Sequence, residues 1–186
     1  CTVYNMIRLA DFLFRQTADP AYMHYIEYNL QNGIFAQTYG PGNGLLTYFL
    51  PMKAGSRKAW AGELDSFFCC HGTMVQANAA LNRYMYYQDN KELYVTMYAN
   101  SQADFTVEDT KVTLNIQQDY MNGSLMSSSQ NDAFQTINDT AAAYANKPDF
   151  KKYVMTVYTE SEVEIALSLR IPDWIMKSAK VYVNDE

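Results

Sequence analysis

The chain has 186 residues, of which 48% are hydrophobic and 18% charged, an ordinary globular composition with enough apolar mass for the core of one or two domains. Disorder along the whole length is thereby excluded. A formal net charge of -6, with basic residues clustered only as Arg57-Lys58 and Lys151-Lys152, excludes a nucleic-acid surface, and no apolar run approaches the roughly 18 residues of a membrane span.

Residues 1–88 read as helical. Val3, Met6, Ile7, Ala10, Leu13 and Phe14 recur at helical spacing. Asp19-Pro20 is a start signal, with Asp as N-cap and Pro in the first helical position. The helix that follows carries Tyr22, Ile26 and Leu30 on one face and is expected to stop at Asn32-Gly33. The glycine-rich run Tyr39-Gly40-Pro41-Gly42-Asn43-Gly44 demands a turn or loop. A short strand is expected from Leu45 to Pro51, irregular polar chain over 53–68, and a third helix from about Thr73 to Tyr87 with Val75, Leu81 and Tyr84 inward.

The hydrophobic period changes near Asp89-Asn90, and from there the chain alternates as strands do. Leu93, Val95 and Met97 share one face, and Val112, Leu114 and Ile116 another. Residues 153–158 and 163–171 are further strands, and Val181 and Val183 a last one. The pattern predicts an antiparallel β-sandwich over 89–186 after a helical region. Residues 120–149, rich in Asn, Ser, Ala, Thr and Asp, read as a long surface insertion. Its Asn122-Gly123-Ser124 and Asn138-Asp139-Thr140 match the glycosylation pattern. No leader is visible, and the chain opens at Cys1 directly in a helical pattern. Both ends are expected to continue into a longer protein.

Sixteen tyrosines, nine phenylalanines and two tryptophans fit either aromatic packing or a carbohydrate-facing surface, because such rings join apolar faces to polar tips. The cysteines are more informative. There are three, Cys1, Cys69 and Cys70, and an odd count with an adjacent pair is no disulfide framework. Three buried thiols acting as small hydrophobes is one reading. The other starts from the pair's place in Asp65-Ser66-Phe67-Phe68-Cys69-Cys70-His71-Gly72-Thr73, at a helix entrance, where a thiolate is stabilised. Two such thiolates and a third from a distant helix suit Zn²⁺, which in a structural site takes four ligands. His71, Glu63, Asp65 or a residue before Cys1 are the candidates for the fourth.

The segments also resemble a known family in their order along the chain. Cys1-Thr2-Val3-Tyr4-Asn5-Met6 resembles the continuation of a Glu-x-Cys motif. Residues 25–33, with Glu27, Tyr28, Asn29 and Gly33, resemble its Glu-x-x-x-Tyr-Asn-Gly type segment. Thr47-Tyr48-Phe49-Leu50-Pro51-Met52 resembles its aromatic strand, and Phe67-Phe68-Cys69-Cys70 its Cys-Cys motif. Residues 92–98, 169–174 and 181–184 are similar to its sandwich strands. Where that family often has Cys-x-Cys-Cys, this chain has Phe67-Phe68-Cys69-Cys70. The family is glycoside hydrolase family 127, typified by β-L-arabinofuranosidase, and the likeness covers nearly all of the chain outside 120–149.

The resemblance implies an α+β multidomain fold, in which residues 1–88 end an (α/α)₆ barrel and 89–186 form the antiparallel sandwich. It implies a retaining glycosidase whose nucleophile is a zinc-bound cysteine. Cys69 matches the nucleophile, and Cys1, Cys69 and Cys70 match zinc ligands. A Glu two positions before Cys1 would be the fourth ligand, and the acid/base Glu would also lie upstream, so the chain alone is expected to be inactive. Glu27 and Tyr48 match sugar-contacting positions. His24 and His71 match no functional position and are read as structural. The expected partner is a carbohydrate, an L-arabinofuranoside or a related plant-glycan sugar, with neither nucleic acid nor membrane. Self-association through the sandwich domains and a bacterial cytoplasmic or periplasmic location are further expectations. Two other readings compete: a non-catalytic carbohydrate-binding or structural sandwich with a helical cap, and a zinc-stabilised interaction module.

Overall fold

The computed structural model describes residues 1–37, 45–49, 51, 53–60, 67–119, 151–175 and 178–184. The glycine-rich run and the expected insertion at 120–149 lie outside the described residues. Helices and two small sheets are both present, and contacts divide the chain into two compact units, one of residues 1–97 with 165–186 and one of 98–164.

The first unit is built on helices. α1 spans Thr2–Thr17. Its buried residues are Tyr4, Ile7, Ala10, Asp11 and Phe14, the i, i+3, i+4 stripe of a helix against a core. Val3 and Met6, expected inside, lie on the exposed side, because the stripe is centred on Ile7 and Asp11. α1 ends at Ala18, whose left-handed φ of 53° closes the helix with its N–H on the Phe14 carbonyl, the geometry of a C-terminal cap. α2 spans Pro20–Asn29, with Asp19 as N-cap accepting the Ala21 N–H at 2.9 Å and Pro20 opening the helix.

The expected stop at Asn32-Gly33 is corrected. The chain stays helical through a π turn at Leu30–Ile34 and a 3₁₀ turn at Phe35–Gln37. Gly33 serves a different need there. A Cβ at this position would sit 2.9 Å from Val3 Cγ1, so glycine lets this turn approach α1 closely. The strand expected over 45–51 is an isolated bridge residue at Leu46 among the described positions.

α3 spans Cys69–Ala79, followed by a 3₁₀ turn at Leu81–Tyr84. The helix therefore starts at the cysteines, four residues earlier than expected, and ends sooner. Its inward residues include Met74 and Ala77, while Val75 is exposed. Ile7, Phe14, Met23, Ile26, Leu30 and Met74 belong to one buried cluster. β1 (Tyr86–Asp89) turns through Asn90, at φ 51°, into β2 (Glu92–Val95). Beside β2 lies β6 (Ala166–Leu169), giving the order β1-β2-β6. β1 and β2 are antiparallel, but β2 and β6 are parallel, with Glu92 opposite Ala166. This corrects the expectation of antiparallel pairing throughout: β6 returns after a long excursion, so no hairpin fixes its direction.

The second unit contains β3 (Ser101–Val107), β4 (Thr110–Asp119) and β5 (Lys152–Thr159), an antiparallel sheet in that order. Glu108 and Asp109 both take positive φ, 48° and 64°, as a two-residue hairpin between right-twisted strands requires. Val112, Leu114 and Ile116 are buried on β4, as their alternation predicts. Val181 and Val183, expected in a strand, are exposed and lie outside any strand. Among the described residues no helix is long and apolar enough to cross a membrane.

Candidate metal and thiol site

Cys69 and Cys70 are the first two residues of α3, and Cys1 is the N-cap of α1. The fold brings these two helix starts together. Cys1 Sγ lies 3.4 Å from Cys70 Sγ, Cys70 Sγ lies 3.9 Å from Cys69 Sγ, and all three sulfurs are within 4.8 Å of one another. The three are free thiols; Cys1 and Cys69 are exposed and Cys70 is half-buried.

The cluster can hold a metal ion. Zn–S bonds of about 2.3 Å in a tetrahedral site separate the sulfurs by roughly 3.8 Å. Two of the observed separations match and the third needs only a side-chain adjustment, so the donor set fits zinc. Among the described residues no carboxylate or imidazole joins the cluster. His71, one candidate for a fourth ligand, has its Nδ1 occupied by the Phe68 N–H at 2.8 Å. Glu63 and Asp65 lie outside the described residues.

Two neighbours order the thiols. The Thr73 hydroxyl lies 3.1 Å from Cys1 Sγ and donates to the Cys69 carbonyl at 3.2 Å, so one side chain spans both helix starts. The Tyr48 hydroxyl lies 3.8 Å from Cys69 Sγ. Its interaction with Cys69 first, and with Cys70 next, pushes the phenol up to about 12, so it keeps its proton at neutral pH, and either the hydroxyl or the thiol can be the donor. Beside Cys1 and Cys70 opens a cleft of about 200 Å³, walled by Val3, Gly33, Tyr48 and Thr73.

Glu27 sits elsewhere in the same unit. Its carboxylate accepts from Arg170 at 2.6 Å, and Arg170 also donates through Nε to the Thr96 carbonyl at 2.6 Å. Arg170 is 3% exposed and Glu27 19%, so this is a shielded ion pair. No hydrogen bond or ion pair among the described residues joins Glu27 to the cysteines. His24 faces Asp173, with Nδ1 3.6 Å from a carboxylate oxygen. Thr73 and Arg170 escaped the sequence reading. Thr73 stands one helical turn after Cys69 and could have been found once α3 was started at the cysteines. Arg170 has no local signal, since its partner is distant in sequence.

Residues 1–83 match the family model described as "Beta-L-arabinofuranosidase, GH127 catalytic domain". Among solved structures, the chain is similar to that of a protein described as "The GH127, Beta-arabinofuranosidase, BT3674", at 19% identity and a TM-score of 0.64, over 94% of this chain and 23% of that one. That likeness is one of fold, and the chain spans less than a quarter of that protein's length. No curated protein matches it. Residues 1–83, which hold all three cysteines, are thus similar to GH127 β-L-arabinofuranosidase catalytic domains.

Proposed function

We propose that this chain is part of a retaining glycoside hydrolase acting on L-arabinofuranosides or related plant-glycan sugars, with Cys69 as nucleophile. The observation that carries the proposal is the convergence of three sulfurs at the start of α3, with the Tyr48 hydroxyl against Cys69. In this reading α1 to α3 belong to the end of an (α/α)₆ barrel and residues 89–186 to a sandwich, as the family resemblance implies.

Cys1, Cys69 and Cys70 would hold a zinc ion. When bound, the ion supplies the positive charge that keeps cysteine, whose ordinary pKa is about 8.5, ionised near neutral pH. Cys69 Sγ attacks the anomeric carbon as the bond to the leaving oxygen breaks, giving a glycosyl thioether on Cys69. A carboxylic acid from outside this chain protonates the leaving oxygen. As carboxylate, it then takes a proton from water, which attacks the same carbon and releases Cys69 as thiolate. Two displacements retain the configuration. Tyr48 donates toward the sulfur, and Glu27, fixed by Arg170, accepts from a sugar hydroxyl. By the family resemblance, the fourth ligand would be a Glu two positions before Cys1.

The test uses the full-length protein and an aryl β-L-arabinofuranoside. Cys69→Ser is expected to lower turnover at least a thousandfold with an unchanged circular dichroism spectrum, and a slow substrate should leave a pentosyl mass on the peptide carrying Cys69. Wild-type turnover in Cys69→Ser refutes the nucleophile assignment.

A further inference from the structure

We infer that His71 is a positioning residue for Cys69, acting as a side-chain latch on the backbone from which the nucleophile springs. The inference rests on the assignment of Cys69 above. Helices begin with backbone N–H groups that lack a partner within the helix, and a Ser, Thr, Asp or Asn at the N-cap ordinarily serves one of them. α3 has Phe68 at its N-cap, which carries no acceptor. The need is met from the other direction. His71 is the third residue of α3, and its Nδ1 accepts the Phe68 N–H at 2.8 Å. This is the back-reaching half of a capping box, where Glu or Gln usually stands.

A Glu there would place a negative charge beside two thiolates. Imidazole supplies the acceptor without that charge. The bond requires Nδ1 to be unprotonated, which leaves the ring proton of neutral His71 on Nε2. That nitrogen is buried and has no hydrogen-bond partner among the described residues. The ring itself is 3% exposed and is clasped by Tyr48, Phe67 and Phe68 at centroid distances of 5.6–5.8 Å. With Nδ1 on the Phe68 N–H and the ring enclosed by three aromatic neighbours, that bond fixes the ring's orientation. Because the bonded residue directly precedes Cys69, and the ring also packs on Tyr48, His71 fixes the nucleophile's backbone and its hydroxyl donor from one side chain.

The test compares His71→Phe, which keeps a flat ring without an acceptor, with His71→Gln, which restores one, in the full-length protein. Amide exchange and steady-state kinetics are measured on both, with zinc content as control. His71→Phe should speed exchange of the Phe68 amide at least tenfold and lower kcat at least tenfold, with KM within threefold and the α3 interior still protected. His71→Gln should recover most of both. Equal Phe68 exchange in the two variants, or unchanged kcat in His71→Phe, overturns the inference. If His71→Phe fails to fold, His71→Met takes its place. Failure of both apolar variants alongside full wild-type behaviour of His71→Gln supports the latch, whereas Gln behaving as the apolar variants do overturns it. Activity retained in Cys69→Ser would remove the nucleophile assignment separately, since Phe68 exchange is read without substrate.

Discussion

Replacing Asp11 with Ala should be among the most destabilising polar substitutions in the helical unit. Asp11 is 1% exposed on α1, and it accepts from three residues. The Tyr87 hydroxyl donates at 2.8 Å, Arg83 reaches it at 2.7 and 2.9 Å, and Arg15 at 3.2 Å. These contacts tie α1 to the turn after α3 and to β1. The two arginine side chains are 43% and 56% exposed, so water screens them and each pair contributes at most about 1 kcal/mol. The tyrosine hydroxyl is the larger loss. It is buried, and stranding a buried donor costs about 1–3 kcal/mol. The sum is about 1–5 kcal/mol for Asp11→Ala. Asp11→Asn keeps an acceptor for Tyr87 and should cost roughly half as much. Tyr87→Phe removes the donor that would be stranded, so the double variant should be less destabilised than the two single effects added together, by about 1–2 kcal/mol of coupling. Urea unfolding followed by circular dichroism measures all four. An Asp11→Ala loss below about 0.5 kcal/mol, or strict additivity with Tyr87→Phe, refutes the reasoning.

The same node predicts alkaline behaviour. Burial first, and the Asp11 hydrogen bond next, raise the Tyr87 phenol well above its ordinary value, so its contribution is present below about pH 10 and is lost as pH rises beyond; Tyr87→Phe should lie below wild type in stability at neutral pH and converge with it in strong alkali, and a gap that stays constant with rising pH counts against it. Gly33→Ala brings a Cβ to 2.9 Å from Val3 Cγ1 and should cost about 1–3 kcal/mol as overpacking, with Val3→Ala restoring most of it in thermal melts. A hydrogen bond from Ser168 at 2.6 Å, and a second interaction with Tyr94, hold the Glu92 carboxyl below its ordinary range. Its contribution is therefore present above about pH 4.3 and fades as pH falls through the lower folded value; in acid titrations Glu92→Gln should separate from wild type near neutral pH and converge with it in strong acid.

Local chemistry made part of this molecule legible. Asp19-Pro20 started α2 because an Asx cap and a fixed proline φ act within three residues. Val112, Leu114 and Ile116 were placed inside because a strand's period is two. Gly33 misled, since the glycine that ends a helix and the glycine that admits a neighbouring helix look alike in sequence, and the distinction lies in Val3, thirty residues away. α3 began at the cysteines because His71 supplies a cap by reaching backward, and a search for Ser, Thr, Asp or Asn before the helix passes over it. β3 was missed because the apolar face of Ser101-Gln102-Ala103-Asp104-Phe105-Thr106-Val107 opens with the small residues Ser101 and Ala103, so its alternation is weak until Phe105 and Val107. Its place depends on pairing with β4. Asp11 reads as an exposed residue between turns of an amphipathic helix until Arg83 and Tyr87 arrive from beyond α3. For the cysteines the residues alone left buried thiols and a zinc site both open; the fold brings the three sulfurs within 4.8 Å of one another, where they could hold a metal ion.

That convergence depends on supports outside the cluster. Cys1 sits at the start of α1 and the Cys69-Cys70 pair at the start of α3, so the sulfur triangle is only as firm as the placement of one helix on the other. Beside the shared core, two side chains contribute to it. Thr73 spans the helix starts directly, and Asp11, about two and a half turns along α1, holds the turn that follows α3 through Arg83. One bond lies at the sulfurs and the other some 15 Å along the α1 axis at 1.5 Å per residue, so together they restrain both sliding and rotation. A buried carboxylate is a costly way to join two helices, and an apolar contact of the same volume is often no weaker. What the ion pair adds is direction: its hydrogen bonds fix the rotation of α1 about its own axis, which an apolar stripe leaves loose. Rotation of α1 by one residue's arc would carry Cys1 away from Cys70, and the observed 3.4 Å separation would be lost.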